Sequence, residues 1–115
     1  IEAPAIVAIG DVVELRAGEL RRFEVSPEDA GLTHASLDAI KGGDGDENAR
    51  TMAAMLDGAP GPIRDIVLFN TAAALVVADR AETLRDGVAT AAEAIDSGAA
   101  RTTLDELVAI TNRTA

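Results

Sequence analysis

The sequence has no cysteine, no tryptophan and no tyrosine, and Phe23 and Phe69 are its only aromatic residues. Without cysteine, disulfide frameworks and thiolate metal sites are excluded. A core with two rings must be built from Ala, Val, Leu and Ile, whose compactness favours closely packed helices. Cationic side chains are also scarce: Lys41 is the single lysine beside nine arginines, and the formal net charge is −10. Such a field repels nucleic acid and anionic membranes, and the aromatics that stack on single strands are missing. Neither is expected as a partner. The longest apolar run, residues 66 to 78, is broken only by Asn70 and Thr71. It falls short of the roughly 18 to 20 apolar residues of a membrane span. The chain opens Ile1-Glu2 with no basic segment ahead of an apolar one, so no signal peptide is read and the cytoplasm is expected. The missing initiator methionine suggests a piece of a longer chain.

What is present fits one domain, 1–115, able to bury about 65% of its unfolded surface. The run from Gly61 to Arg80 is the organising stretch. Pro62 suits a first helical turn, and apolar residues on every face predict a helix enclosed by protein. Val67, Leu68, Ala74, Leu75 and Val77 are therefore expected to be inaccessible. Before it, residues 5 to 25 read as strands. Residues 5 to 9 form a short apolar run ended by Gly10-Asp11, and residues 12 to 15 and 19 to 25 flank a tight turn at Arg16-Ala17-Gly18. Phe23 and Val25 share one strand face. Ser26-Pro27-Glu28-Asp29 starts a single helical turn, and residues 36 to 40 suggest another.

Helices follow at about 46–57, 62–79, 82–97 and 100–111. Their expected apolar stripes are Ala49, Met52, Ala53 and Leu56 in the first, and Leu84, Val88, Ala91, Ala92 and Ile95 in the third. Leu104, Leu107, Val108 and Ile110 mark the last. The fold class is α/β, short antiparallel strands followed by a helical cluster.

Chemistry is thin. Asp44, Asp46 and Asn48 imitate the opening of a calcium loop, but Ala49 stands where it needs Gly and Met55 where it needs Glu. A phosphate cradle at Gly42-Gly43 lacks the following Lys and Ser/Thr. The loop reads better as helix-capping acids. His34 is the only histidine and would have to borrow Ser26, Ser36 or Ser97 as a nucleophile; it reads as a loop residue. Asn70 reads as a hydrogen-bonded core amide. Glu28 and Asp29 read as first-turn acids. No catalytic, substrate-binding or metal residue is assigned.

Three segments together carry a resemblance. They are Val25 through Leu32, Gly42-Gly43-Asp44 followed by Glu47-Asn48-Ala49, and Gly58 through Leu75, extended by Gly87-Val88 and by Ala94 through Gly98. In order and spacing they resemble the C-terminal third of the anthranilate phosphoribosyltransferase family, over about Val13 to Asn112. Asn70-Thr71 stands where that family usually has Asn-Ala, and residues 1 to 12 fit its pattern poorly. The resemblance implies part of an α/β phosphoribosyltransferase domain of the kind shared with nucleoside phosphorylases. It implies a parent enzyme of tryptophan biosynthesis that transfers phosphoribosyl from phosphoribosyl diphosphate to anthranilate with Mg²⁺. The family's diphosphate loop, Lys-His-Gly-Asn segment, anthranilate arginine and Asp-Glu metal pair lie upstream of the matched region. No site residue carries over, no cofactor is expected on this piece, and it is expected to be inactive by itself. Strands that lose their neighbours leave unpaired edges, so a homodimer through the strand region is expected, with Ile6, Phe23 and Val25 in its apolar face. The alternative is a freestanding acidic helical module of acyl-carrier type, with a prosthetic arm on Ser36 ahead of Leu37; Ala35 stands where a carrier has Asp.

Overall fold

The structure, a computed structural model, describes residues 10–33 and 41–113. The strand expected at 5 to 9 and the short helix at 36 to 40 lie outside the described residues, as do Ile6, His34 and Ser36. Two antiparallel strands, β1 (Gly10–Arg16) and β2 (Glu19–Val25), form the sheet. Four helices follow: α1 (Gly45–Leu56), α2 (Pro62–Val77), α3 (Leu84–Asp96) and α4 (Ala99–Thr111). A 3₁₀ turn, Pro27–Ala30, leads out of β2.

The hairpin closes through Ala17 and Gly18, both in the left-handed region at φ 51° and 80°. Two-residue turns with positive φ at both positions match the right-handed strand twist, and glycine accepts this geometry where alanine is strained. The register pairs Val12 with Phe23, Glu14 with Arg21, and Leu15 with Leu20. Alternation then sorts the strands into two faces. Val12, Phe23 and Val25 face α2 and join Ala30 and Phe69 in one apolar cluster. Val13, Leu15 and Leu20 are exposed. The uncovered strand face is thus the opposite of the expected one: Phe23 and Val25 are packed inward.

Each helix has a local reason to start and stop. The Asp44 carboxylate accepts the Glu47 N–H at 2.8 Å and caps α1. Pro62 occupies the first turn of α2. Thr83 Oγ1 accepts the Asp86 N–H at 3.1 Å, which moves the start of α3 to Leu84 from the expected 82. Ser97 and Gly98 end it, and α4 begins at once.

The core sits on both sides of α2. Phe69 points to the hairpin, and Leu68 joins Met55, Ala91 and Ile95 of the flanking helices. Of the residues expected to be enclosed, Leu68 is buried, Val67 and Leu75 are half-buried, Ala74 is exposed and Val77 is 60% exposed. Asn70, Thr71 and Ala74 lie on an exposed face of α2, and Val77 sits beside the hairpin, which leaves it largely uncovered. α1 is also rotated from its expected phase: Met55 is buried while Ala49 and Met52 are exposed. In α3 the expected stripe is present, with Gly87 inside it. α4 buries nothing completely; Leu104 is half-buried and Leu107, Val108 and Ile110 are exposed.

α2 and α3 approach each other most closely at Gly87. A Cβ placed there would lie 2.7 Å from the Ala72 Cα and 2.8 Å from its Cβ. The obstacle is backbone and cannot swing aside. The same pair of helices is clipped at its far end by Arg64, whose two guanidinium nitrogens donate to Asp96 at 2.9 and 3.0 Å.

Gly87→Ala is expected to destabilise the chain by about 1–3 kcal/mol through overpacking, despite alanine's better helix propensity. Gly45→Ala, with open space at its Cβ, should leave stability unchanged or slightly higher. Urea unfolding of both variants checks the contrast. Ala17→Gly should raise the midpoint by relieving the left-handed alanine; a lower midpoint would show that the turn is not strained.

Candidate functional site

Two places concentrate the chain's polar chemistry. The first is the loop 41–48. Two of its side chains build the helix start: Asp44 caps α1, and Asn48 closes the loop on itself. The Gly43 N–H donates to Asn48 Oδ1 at 2.9 Å while Asn48 Nδ2 donates to the Gly43 carbonyl at 3.1 Å. A loop held this way presents a hydrogen-bonded clip. No three His, Asp or Glu side chains converge to hold a metal ion among the described residues.

The second is a cleft of about 420 Å³ between the inner hairpin face and the junction of α2 with α3. Val12, Phe23, Val25, Ala73, Val76, Val77 and Leu84 contribute its apolar lining, Thr83 a hydroxyl, and Glu14, Arg16, Arg21 and Glu82 its charges. The Arg21 guanidinium lies 4.8 Å from the Phe23 ring centroid, within cation–π range. Arg16 pairs with Asp79 at 3.4 Å across the cleft's end. The strand alternation Glu14/Arg16 and Arg21/Phe23 was the available signal for this cleft. It could not be used without knowing which face met the helices. The cleft offers apolar contact and two guanidinium groups. It contains neither histidine nor a serine, and no nucleophile–base pair is brought together in it.

The remaining candidates have local roles. Asn70 is exposed instead of buried, and its Nδ2 donates to the Ile66 carbonyl one turn back at 3.0 Å. The expectation of a core amide fails because that face of α2 is uncovered. Asp29 accepts the Ser26 N–H at 2.8 Å, and the Glu28 carbonyl accepts from Arg85 at 3.2 Å. Ser97 Oγ donates to the Ala94 carbonyl and accepts the Ala99 N–H, both at 3.4 Å, at the α3–α4 junction.

One titratable group stands apart. Burial pushes the Asp65 carboxyl above its ordinary 3.8, and the adjacent Arg64 opposes the shift without cancelling it. Arg64 is already committed to Asp96. A carboxyl with a raised folded-state pKa binds protons more tightly folded than unfolded. Its cost to stability is therefore absent below about pH 3.8 and appears as pH rises through the raised value. Asp65→Asn should melt higher than the parent chain at pH 7, with the difference vanishing in acid. Equal melting temperatures at pH 7 would contradict the sign.

Comparison with known proteins gives a coherent result. Residues 1–101 match the model of a family described as "Glycosyl transferase family, a/b domain". The match includes residues 1 to 12, which the sequence pattern alone had set apart. The anthranilate phosphoribosyltransferase of Parvibaculum lavamentivorans is 57% identical over 101 residues, 88% of this chain and 30% of the relative. That of Rhodopseudomonas palustris strain HaA2 is 54% identical over 99 residues, 86% and 29% of the two chains. The crystal structure of anthranilate phosphoribosyltransferase from Thermus thermophilus superposes with a TM-score of 0.76 at 35% identity. That match covers 87% of this chain and 30% of the other. The chain thus spans about three-tenths of the length of the relatives it matches. Nothing in these similarities supports an acyl-carrier-like module. Among the described residues no helix is long and apolar enough to cross a membrane.

Proposed function

The chain belongs to the glycosyl transferase family, a/b domain, and we propose that it serves as the corresponding portion of an anthranilate phosphoribosyltransferase. In this reading the complete enzyme transfers phosphoribosyl from phosphoribosyl diphosphate to anthranilate in the cytoplasm. The present portion contributes scaffold, and the reacting groups are bound elsewhere in the enzyme. The observation that carries the reading is the 57% identity over 101 residues. The local chemistry agrees with it, since Asp44 and Asn48 of the loop 41–48 are engaged in capping α1 and closing the loop.

Mg²⁺, which the resemblance implies for the enzyme, does not fit the residues described here. Asp44 is engaged as a cap, and no acidic triad converges among the described residues. The ion belongs, in this reading, to the portion outside the match. The net charge of −10 also disfavours binding a polyanionic donor on this chain alone. Self-association through the strand region remains part of the proposal for the isolated chain, because Leu15 and Leu20 are exposed there. Salt would assist it by screening like charges.

The test is a covalent chimera in which the matched segment of the Parvibaculum enzyme is replaced by this chain. The chimera is expected to transfer phosphoribosyl to anthranilate with the Mg²⁺ dependence of the intact relative. A folded chimera without activity would overturn the reading.

A further inference from the structure

The cleft between the inner hairpin face and the α2–α3 junction holds charges that neither the fold nor a scaffold role uses. Glu14 and Arg21 are direct cross-strand partners, so both side chains leave the sheet on its inner face, beside Val12 and Phe23. Opposite charges at such a position attract. Here they do not close on each other. The Arg21 guanidinium lies over the Phe23 ring, 4.8 Å from its centroid. Among the described residues neither it nor the Glu14 carboxylate has an ion-pair partner. Glu14 is half-buried, so its charge is held partly out of water with no cation to offset the cost.

The other polar groups of the cleft are either engaged or exposed. Arg16 is taken by Asp79 at 3.4 Å, and Thr83 Oγ1 accepts the Asp86 N–H. Glu82 adds a second, exposed carboxylate. A ligand therefore meets one unpaired guanidinium, an unpaired carboxylate and an apolar floor that includes Val12, Val76 and Leu84. The space is about 420 Å³, within the roughly 300–1,000 Å³ of small-molecule sites. A simple carboxylic acid would satisfy Arg21 but be repelled by Glu14. A simple amine would satisfy Glu14 and be repelled by Arg21. A polyanion would face both carboxylates with one unpaired cation to hold it. Only a zwitterion with an apolar body satisfies every group.

We propose that this cleft binds a free amino acid with a large apolar side chain. Its carboxylate pairs with Arg21, its ammonium with Glu14, and its side chain packs against Val12, Phe23, Val76 and Leu84. The neighbouring hollow beside Val13 and Leu15 cannot do the same, because its only cation is Arg16, already paired with Asp79. The proposal stands apart from the functional reading above, since ligand and site are both read from residues of this chain.

The test titrates this chain with L-phenylalanine and follows amide shifts by two-dimensional NMR. Saturable shifts are expected at Val12, Arg21, Phe23 and Leu84 at concentrations up to about 10 mM, the range of a weak small-ligand site. 3-Phenylpropanoate lacks the ammonium and phenethylamine lacks the carboxylate. Each should bind about tenfold more weakly, the loss expected for one charge-assisted hydrogen bond. Glu14→Gln should abolish the preference over 3-phenylpropanoate while keeping that over phenethylamine, and Arg21→Gln should do the reverse. The ligand series on the unaltered chain decides the matter even if a variant fails to fold. Absence of saturable shifts, shifts centred away from the cleft, or equal affinity for the three compounds overturns the proposal.

Discussion

The contact between Gly87 and Ala72 sets the geometry on which the other elements depend. With the backbones of α2 and α3 this close, Leu68, Ala91 and Ile95 meet in one apolar cluster with Met55 of α1. The Arg64–Asp96 pair then fixes the two helices at their other end. Side chains this small make the approach possible, and a sequence nearly free of aromatics supplies them. Phe69 is one of two exceptions, the fully buried plug between α2 and the hairpin, and Phe23 packs against its cluster from the hairpin side.

From that centre outward, order of packing declines. The hairpin is anchored on one face by Val12, Phe23 and Val25, and its other face is apolar and uncovered. α4 packs Ala100 against the cluster of Met55, Leu68, Ala91 and Ile95 and shows Leu107, Val108 and Ile110 to solvent. The same gradient runs around α2, where Leu68 and Phe69 are buried and Val77 is not. Apolar residues at these uncovered positions make sense in a larger protein. The family match and the three-tenths coverage of the relatives agree with that physical reading.

Much of this was legible in the residues themselves. Ser26-Pro27, the pair Asp44 and Asp46, and Pro62 marked element starts because capping and proline geometry are local, and the structure uses Asp44 of that pair. The Ala17-Gly18 turn was legible for the same reason. Which face of an element meets a neighbour is not local. Val77 and Ala74 look like core because α2 is apolar all round, but Ala74 lies on its exposed face with Asn70 and Thr71, and the hairpin beside Val77 covers only part of it. Phe23 and Val25 were correctly paired on one face, but the sequence could not say that this face was the covered one. The cleft near Arg16 and Arg21 was missed for the same reason. The expectation that no catalytic constellation is present rests on composition alone: a single histidine and no cysteine leave few ways to assemble one.

The central claim is that α2 and α3 form the stable unit while the hairpin's outer face and α4 are held weakly. Native-state hydrogen exchange of this chain tests it residue by residue, since protection reports local opening free energy. The account predicts that amides around Leu68, Phe69, Ala72, Gly87 and Ala91 exchange last and at a common rate set by global unfolding. Amides of α4 near Leu107 and Ile110 should exchange far earlier. Equal protection of α4 and of the α2–α3 centre would contradict it.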